Sequence, residues 1–171
     1  MGFVKIKKQC YEISIQTPLG QMVAIGDEHL LYLLEFEERL GLEQEIRRLS
    51  VEIIPGASPP LKMVEYELKS YFKGESFIFK TPIRIMGTPF QKKVWSQLQI
   101  IDVGQTVSYG ELAQAIGRPT ACRAVARANS TNQFALIIPC HRVINANGEI
   151  GGYAGGVAKK RWLLEHEANH G

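Results

Sequence analysis

One cysteine in this chain stands among residues that could do covalent chemistry. Residues 135–143 read Ala-Leu-Ile-Ile-Pro-Cys-His-Arg-Val: an apolar run stops at Pro139, and Cys140, His141 and Arg142 follow at once. Proline fixes the backbone entering the cysteine and removes one amide donor. The attacking form of a cysteine is its thiolate, and a cation-capable histidine with an arginine beside it favours that form. Glu167, further along, is a carboxylate able to orient a histidine. Cys140, His141 and Glu167 together would make the nucleophile, base and orienting group of covalent catalysis. A Cys-His pair alone is also compatible with a buried cysteine that acts as a small hydrophobe. Two neighbouring features weigh toward chemistry. A loop begins at Asn145-Ala146-Asn147-Gly148 and runs to Gly151-Gly152-Tyr153-Ala154-Gly155-Gly156, and glycines let backbone come close to a ligand. Residues 159–167 then form a helix with Trp162, Leu163 and His166 on one side.

The rest of the chain must position these groups. Residues 11–16 alternate as a strand, Thr17-Pro18-Leu19-Gly20 turns, and residues 22–26 return as a hairpin. Residues 30–36 predict a third strand and 77–80 another. Helices are expected over 42–50 and 60–72, the second with Pro60 near its start and Gly74 just past its end. Met86-Gly87-Thr88-Pro89 is turn chemistry, and beyond it the pattern is mostly helical, beginning with 90–100, where apolar residues 90, 94, 95 and 98 share a face. The expectation is an α+β protein with a sheet domain over 1–86 and a helical domain over 87–171.

Inside the second half lies a pattern suited to DNA. Ser108 caps a helix, Glu111 completes a capping box, and Gly117-Arg118-Pro119 ends it. A second helix, 120–128, carries Arg123 and Arg127 on one face. Two short helices joined by a glycine-containing turn match a helix-turn-helix, and an ordinary helical hairpin with solvated arginines matches them too. The second helix is lined by Ala121, Cys122, Ala124, Ala126 and Ala128. A base-reading helix in the major groove usually carries long polar side chains. Small residues with one arginine suit close approach to a narrow groove, with Arg123 as a wedge.

Composition agrees with a soluble globular protein: 45% hydrophobic and 22% charged residues over 171 positions, enough to bury a core without disulfides or metal. No apolar run approaches the roughly 20 residues of a membrane span. The start, through Lys8, lacks a signal-peptide pattern, and Lys7 stands where a myristoylation motif wants Ser or Thr. The net charge of +3 is uneven: residues 87–171 hold 9 basic and 5 acidic side chains, residues 1–86 hold 11 and 12. A polyanion would therefore bind the second half. Three cysteines, Cys10, Cys122 and Cys140, with no close pairing, point to a reducing compartment.

At Pro139-Cys140-His141-Arg142-Val143 the chain resembles the O6-alkylguanine-DNA alkyltransferases, whose active-site signature this is. Gly87-Thr88-Pro89-Phe90-Gln91, Val94-Trp95, Val107-Ser108-Tyr109, Asn132, Gly152-Tyr153, Gly155-Gly156 and Trp162-Leu163-Leu164 follow in the family's order and spacing. The first 86 residues match only in plan. The resemblance implies a ribonuclease-H-like first domain and a winged-helix-like second one. It implies single-use DNA repair, in which Cys140 accepts the alkyl group of O6-alkylguanine, with O4-alkylthymine a further substrate. His141, through a water, and Glu167 would draw off the thiol proton. Tyr109 would donate toward the guanine ring, with Lys160 in support. Arg123 would fill the place of a nucleotide flipped from the minor-groove side of the duplex, against a helix bearing Ala121 and Cys122. Asn132 would brace the turn before the active-site strand. The backbone of Cys140 and Val143 would read guanine's amine, and Tyr153, Ala154 and Gly155 would cover the base. Ala154 stands where the family often has serine, and Cys122 where it commonly has alanine.

No cofactor is expected. Some relatives bind zinc in the first domain, but here that domain offers only Cys10 and His29. His166 and His170 lack a third ligand, and His170 reads as tail. The expected partner is double-stranded DNA, with no membrane, the protein acting as a monomer. It would work in the cytoplasm of a microbe or the nucleus of a eukaryote. Competing readings are a non-catalytic lesion binder, which would be expected to lack the acceptor thiol, and a helix-turn-helix regulator with a structural Cys140. A Cys-His hydrolase would leave Tyr109, Asn132 and Arg123 unexplained.

Overall fold

The computed structural model describes Gly2 and residues 6–171. Met1, Phe3, Val4 and Lys5, within the start that argues against a signal peptide, lie outside the described residues. The hairpin forms as its alternation predicts. β1 (Gln9–Thr17) runs antiparallel to β2 (Gly20–Gly26), with Tyr11 opposite Gly26 and Thr17 opposite Gly20. The Thr17 hydroxyl closes the turn by donating to the Gly20 carbonyl at 2.6 Å. β3 (Leu31–Phe36) pairs antiparallel with β2. A fourth strand not expected from sequence, β4 (Glu52–Pro55), pairs in parallel with β1 and sets the order β3-β2-β1-β4. It is only four residues long and ends in proline, so it shows no alternation to detect.

Both sheet faces are covered. α2 (Pro59–Phe72) contributes Leu61, Val64 and Leu68 to the large core, while Ile46 and the buried Leu49, in and just after α1 (Leu42–Arg48), pack on the second cluster with Cys10, Val23, Ile25, Tyr32 and Leu33. Covering on two sides explains why every residue of β3, including Glu35, is buried.

Residues 77–80 do not form the strand that their composition predicts. The chain instead pairs one step later, where Leu31 N donates to Pro82 O and Arg84 N to Leu31 O, each at 2.8 Å. Phe77 and Phe79 are spent on aromatic packing, with ring centroids 5.1 and 5.9 Å from Tyr71. The Glu67 carboxylate accepts the backbone amides of Lys80 and Thr81.

The second half is helical around a short two-stranded pair. α3 (Pro89–Gln99) begins within the expected turn, because Thr88 caps it and exchanges bonds with Gln91 in a full capping box. β5 (Val107–Ser108) leads into α4 (Tyr109–Ala115), with the Ser108–Glu111 box as read from sequence. Gly117, at φ +76, allows the reversal that an ordinary side chain would resist. α5 (Cys122–Ser130) starts two residues later than expected, since Pro119 and Thr120 are still turn. A 3-10 turn at Cys140–Arg142 feeds β6 (Val143–Ile144), parallel to β5.

α6 (Val157–His170) extends beyond the predicted 159–167 at both ends. His170 is its last residue rather than loose tail: its Nδ1 lies 2.8 Å from the His166 carbonyl. His166 stacks on Trp162, and its Nε2 lies 2.6 Å from the Tyr71 carbonyl.

One apolar cluster runs through the whole molecule. Ile15, Leu34, Phe36 and Leu68 share it with Val94, Leu98, Val125, Phe134 and Leu163. Backbone bonds cross between the same parts: Leu34 N donates to Gln133 O, and Ala135 N to Leu34 O, both at 2.9 Å. Among the described residues no helix is long and apolar enough to cross a membrane.

Candidate active site

Cys140 opens the 3-10 turn and is 8% exposed. Its backbone is held on both sides. Its amide donates to Ile138 O at 2.8 Å, and its carbonyl accepts Asn129 Nδ2 at 3.2 Å. Asn132 ties the same stretch: its Nδ2 donates to Ile138 O at 2.7 Å and its Oδ1 accepts Phe134 N at 2.9 Å. Asn132 thus ties together the turn before the cysteine. Asn129 does the companion work and was missed in the sequence; a polar residue on the inner face of an alanine-rich helix was its only signal.

The thiol faces a cavity of about 340 Å³ whose wall includes Tyr109, Asn129, Asn132, Tyr153, Ala154 and Gly155. Tyr109 stands at the first position of α4, directly after the Ser108 cap. The glycine loop forms the opposite wall. A Cβ on Gly155 would come within 3.0 Å of both Phe36 and Tyr153, so a larger residue there would push the loop off β3. Two further wall residues, Glu35 and Arg39, come from the first half of the chain.

Behind the thiol lies a buried charged cluster. His141 Nε2 sits 2.7 and 2.9 Å from the two Glu167 oxygens. Arg142 grips the same carboxylate from Nε at 2.7 Å and Nη2 at 3.1 Å, and its Nη1 donates to Ile101 O at 2.6 Å. Burial disfavours the Glu167 charge, but the His141 and Arg142 bonds and charges outweigh it and hold the acid down to about 2. His141 is shifted down, chiefly by burial, with Glu167 pulling the other way. Its Nδ1 is buried and has no hydrogen-bond partner among the described residues.

This arrangement corrects the expectation that His141 and Arg142 would favour a thiolate. Both side chains turn toward Glu167, so their charge serves that carboxylate. Burial pushes the Cys140 thiol up to about 11, with the Asn132 amide opposing. The resting group is therefore a thiol that must lose its proton during attack.

Lys160, fully buried, donates to Val143 O at 2.6 Å and Gly152 O at 3.1 Å, joining β6 to the glycine loop. Burial lowers it to about 8, while the Cys140 charge lifts it. Val143 is buried in β6, opposite Val107. Of the residues singled out in the sequence, the structure brings Cys140, Tyr109, Asn132, Tyr153, Ala154 and Gly155 to one cavity, with His141, Glu167, Lys160 and Val143 outside its wall. Arg123 and Cys122 are exposed on α5, and Ala121 is half-buried at its start. Among the described residues no group of three or more His, Cys, Asp or Glu is arranged to hold a metal ion.

Comparison with known proteins bears on what this geometry is for. Residues 89–169 match the family described as 6-O-methylguanine DNA methyltransferase, DNA binding domain. A Shigella flexneri protein named methylated-DNA–protein-cysteine methyltransferase is 43% identical over 163 residues, which is 91% of this chain and 94% of the relative. The chain belongs to the methylated-DNA–protein-cysteine methyltransferase family. Another protein so named, from Methanosarcina acetivorans, is 39% identical and covers 93% of this chain and 99% of its own length. Among solved structures, the Mycobacterium tuberculosis O6-methylguanine methyltransferase aligns with TM-score 0.81 and 40% identity over 95% of this chain and 94% of that one. The same organism's protein in complex with DNA aligns with TM-score 0.82 and 38% identity, with the same coverage. For this methyltransferase, the likeness therefore spans the β3 side of the cavity as well as the cysteine side. The α+β architecture read from sequence holds.

Proposed function

We propose that this protein repairs DNA by moving an alkyl group, methyl above all, from the O6 of guanine onto Sγ of Cys140, once per molecule. The observation that carries this reading is the Cys140 thiol, set in the wall of a base-sized cavity and backed by the buried His141–Glu167 pair. In the step, a bond forms between Sγ and the alkyl carbon as the carbon–O6 bond breaks, and its electron pair moves into the guanine. The thiol proton leaves toward His141, whose Nδ1 is free to pass it through a water, while Glu167 holds the ring and stabilises its charged form. Tyr109 gives its proton to the guanine ring, so that the base departs neutral, and the phenolate regains a proton from water as His141 releases the one taken from the thiol. The product is a thioether, which has no easy hydrolytic exit, and the protein ends its life alkylated. O4-alkylthymine presents the same oxygen–alkyl bond and is a second substrate.

The base reaches the cavity by leaving the duplex, at a cost of a few kcal/mol. The exposed face of α5, with Cys122, Arg123, Ala124 and Arg127, supports close approach through the minor groove, with Arg123 filling the vacated place. The carbonyl of Cys140 keeps a second lone pair for guanine's amine beside its bond to Asn129, while that of Val143, outside the cavity wall, is tied to Lys160. The Tyr153–Gly155 loop covers the base. The residues named here belong to a single chain, which supports action as a monomer.

The test is intact mass after incubation with duplex DNA carrying O6-methylguanine, followed by peptide mapping. One methyl per molecule on Cys140, absent from Cys140→Ala, is the expected result. An unmodified protein that still holds the lesion duplex tightly would overturn transfer and leave lesion binding as the function.

A further inference from the structure

Glu35 and Arg39 belong to none of the motifs that point to alkyl transfer, yet both line the cavity and both are buried, at 4% and 7% exposure. They form an ion pair with each other. Arg39 also reaches into the second half of the chain: Nη1 donates to Asn132 O at 2.9 Å and Nη2 to Ser130 O at 2.8 Å. These two carbonyls flank Thr131, the C-cap of α5. A cation here satisfies carbonyls that the helix end leaves open and complements its dipole.

From that turn a continuous run of bonds leads to the nucleophile. The Asn132 backbone is held by Arg39, its side chain holds Ile138 O, and Ile138 O accepts the Cys140 amide. A second branch runs from Asn129, on the last turn of α5, to the Cys140 carbonyl. The β3 backbone bonds at Gln133 and Ala135 lie between the two. The C-terminal end of α5 and the cysteine are thus fixed to one frame, and Arg39 is the side chain that anchors this frame to the sheet.

We propose that Glu35 and Arg39 are positioning residues for alkyl transfer: the pair sets the distance and angle between the DNA-facing helix α5 and Cys140, so that a base delivered by one meets the sulfur of the other. The inference rests on the reading of Cys140 as alkyl acceptor. Glu35 aims the guanidinium by accepting from it, and Arg39 is required as a fork, because its two nitrogens serve two carbonyls and a carboxyl group together. A lysine keeps the charge but offers its donors from a single nitrogen, which does not reproduce the planar fork that reaches these separate partners. In-line attack at an alkyl carbon tolerates little displacement, and an error of about 1 Å costs on the order of 100-fold in rate.

The experiment is single-turnover methyl transfer from an O6-methylguanine duplex, with maximal rate and half-saturating DNA concentration measured separately. Affinity for an undamaged duplex is measured alongside. The variants are Arg39→Lys, Glu35→Gln and the double variant Glu35→Leu with Arg39→Met. The double variant replaces a buried ion pair by apolar groups, an exchange that often preserves or raises stability, so it decides the matter should a single variant fail to fold. The expected result for Arg39→Lys and for the double variant is a maximal rate lower by on the order of 100-fold, with undamaged-duplex affinity within about threefold of the parent. Glu35→Gln, which keeps an acceptor for Arg39, falls between. A parental rate in Arg39→Lys, or a double variant that is stable and transfers at the parental rate, would overturn the inference. So would a loss that appears equally in affinity for undamaged DNA. Failure of the parent protein itself to take up methyl would instead overturn the proposed function.

Discussion

At Cys140 the decisive property is burial. The thiol sits near 11, so at neutral pH it is almost wholly protonated, while Cys122 is exposed on α5. Small alkylating reagents and lesion DNA should therefore choose differently. Iodoacetamide at pH 7.5 is expected to label Cys122 first, with Cys10 and Cys140 lagging by at least tenfold, whereas an O6-methylguanine duplex methylates Cys140. Peptide mapping of time points separates the two, and early labelling of Cys140 would contradict a buried resting thiol. Glu167 yields a second expectation. Its folded value of about 2 lies below the ordinary 4.5, so its ionisation stabilises the fold fully above pH 4.5 and that contribution is lost as pH falls toward 2. The linkage amounts to on the order of 3 kcal/mol. Glu167→Gln should be less stable than the parent by about 3–5 kcal/mol near pH 7, because Arg142 keeps a buried charge without its partner. Urea unfolding across pH 7 to 2.5 should show that gap narrowing on the acid side. A gap that is constant with pH would mean Glu167 acts by shape alone.

The helices carry their own instructions. Ser108–Glu111 and Thr88–Gln91 are both full capping boxes, and losing either hydroxyl costs about 1 kcal/mol, or about 2–4 °C in Tm for a chain of this size. Their functional consequences should diverge. Ser108→Ala loosens the turn that places Tyr109 on the cavity wall, so methyl transfer slows by more than its stability loss explains, while Thr88→Ala loses similar stability and transfers at the parental rate. Thermal melts paired with single-turnover rates test this; equal rates would remove Ser108 from the positioning of Tyr109. The same elements show what a sequence makes readable. Cys140, His141 and the Ser108 cap are visible because their logic is local, a few neighbours of the right kind, whereas Tyr109 enters only through the family resemblance. Phe77 and Phe79 misled, since strand-like composition says nothing about a sheet edge already taken by residues 82–84. Arg142 was read as support for the thiolate because adjacency in sequence does not reveal which way a side chain turns. Glu35 did leave a trace, a lone acid inside the apolar run of β3, but its meaning depended on Arg39 and on Asn132, which lies ninety-three residues beyond that arginine.

For the molecule as a whole, the continuity of the apolar cluster across both halves predicts one cooperative unfolding event. Trp95 and Trp162 both lie in the second half, whereas far-ultraviolet circular dichroism reports on all the helices and strands. The two signals should give coincident urea transitions. A separated early step in either would show that the halves melt independently.

The site's long-range ties also set a schedule for synthesis. Cys140 is added to the growing chain before Glu167, and His141 and Arg142 wait across gaps of 26 and 25 residues for that one carboxylate. Until α6 is made and docked, the histidine has no group to hold its ring and the arginine has no counter-charge. A reagent that can be spent only once is thereby assembled unarmed, and its nucleophile becomes competent only after the chain around it has closed.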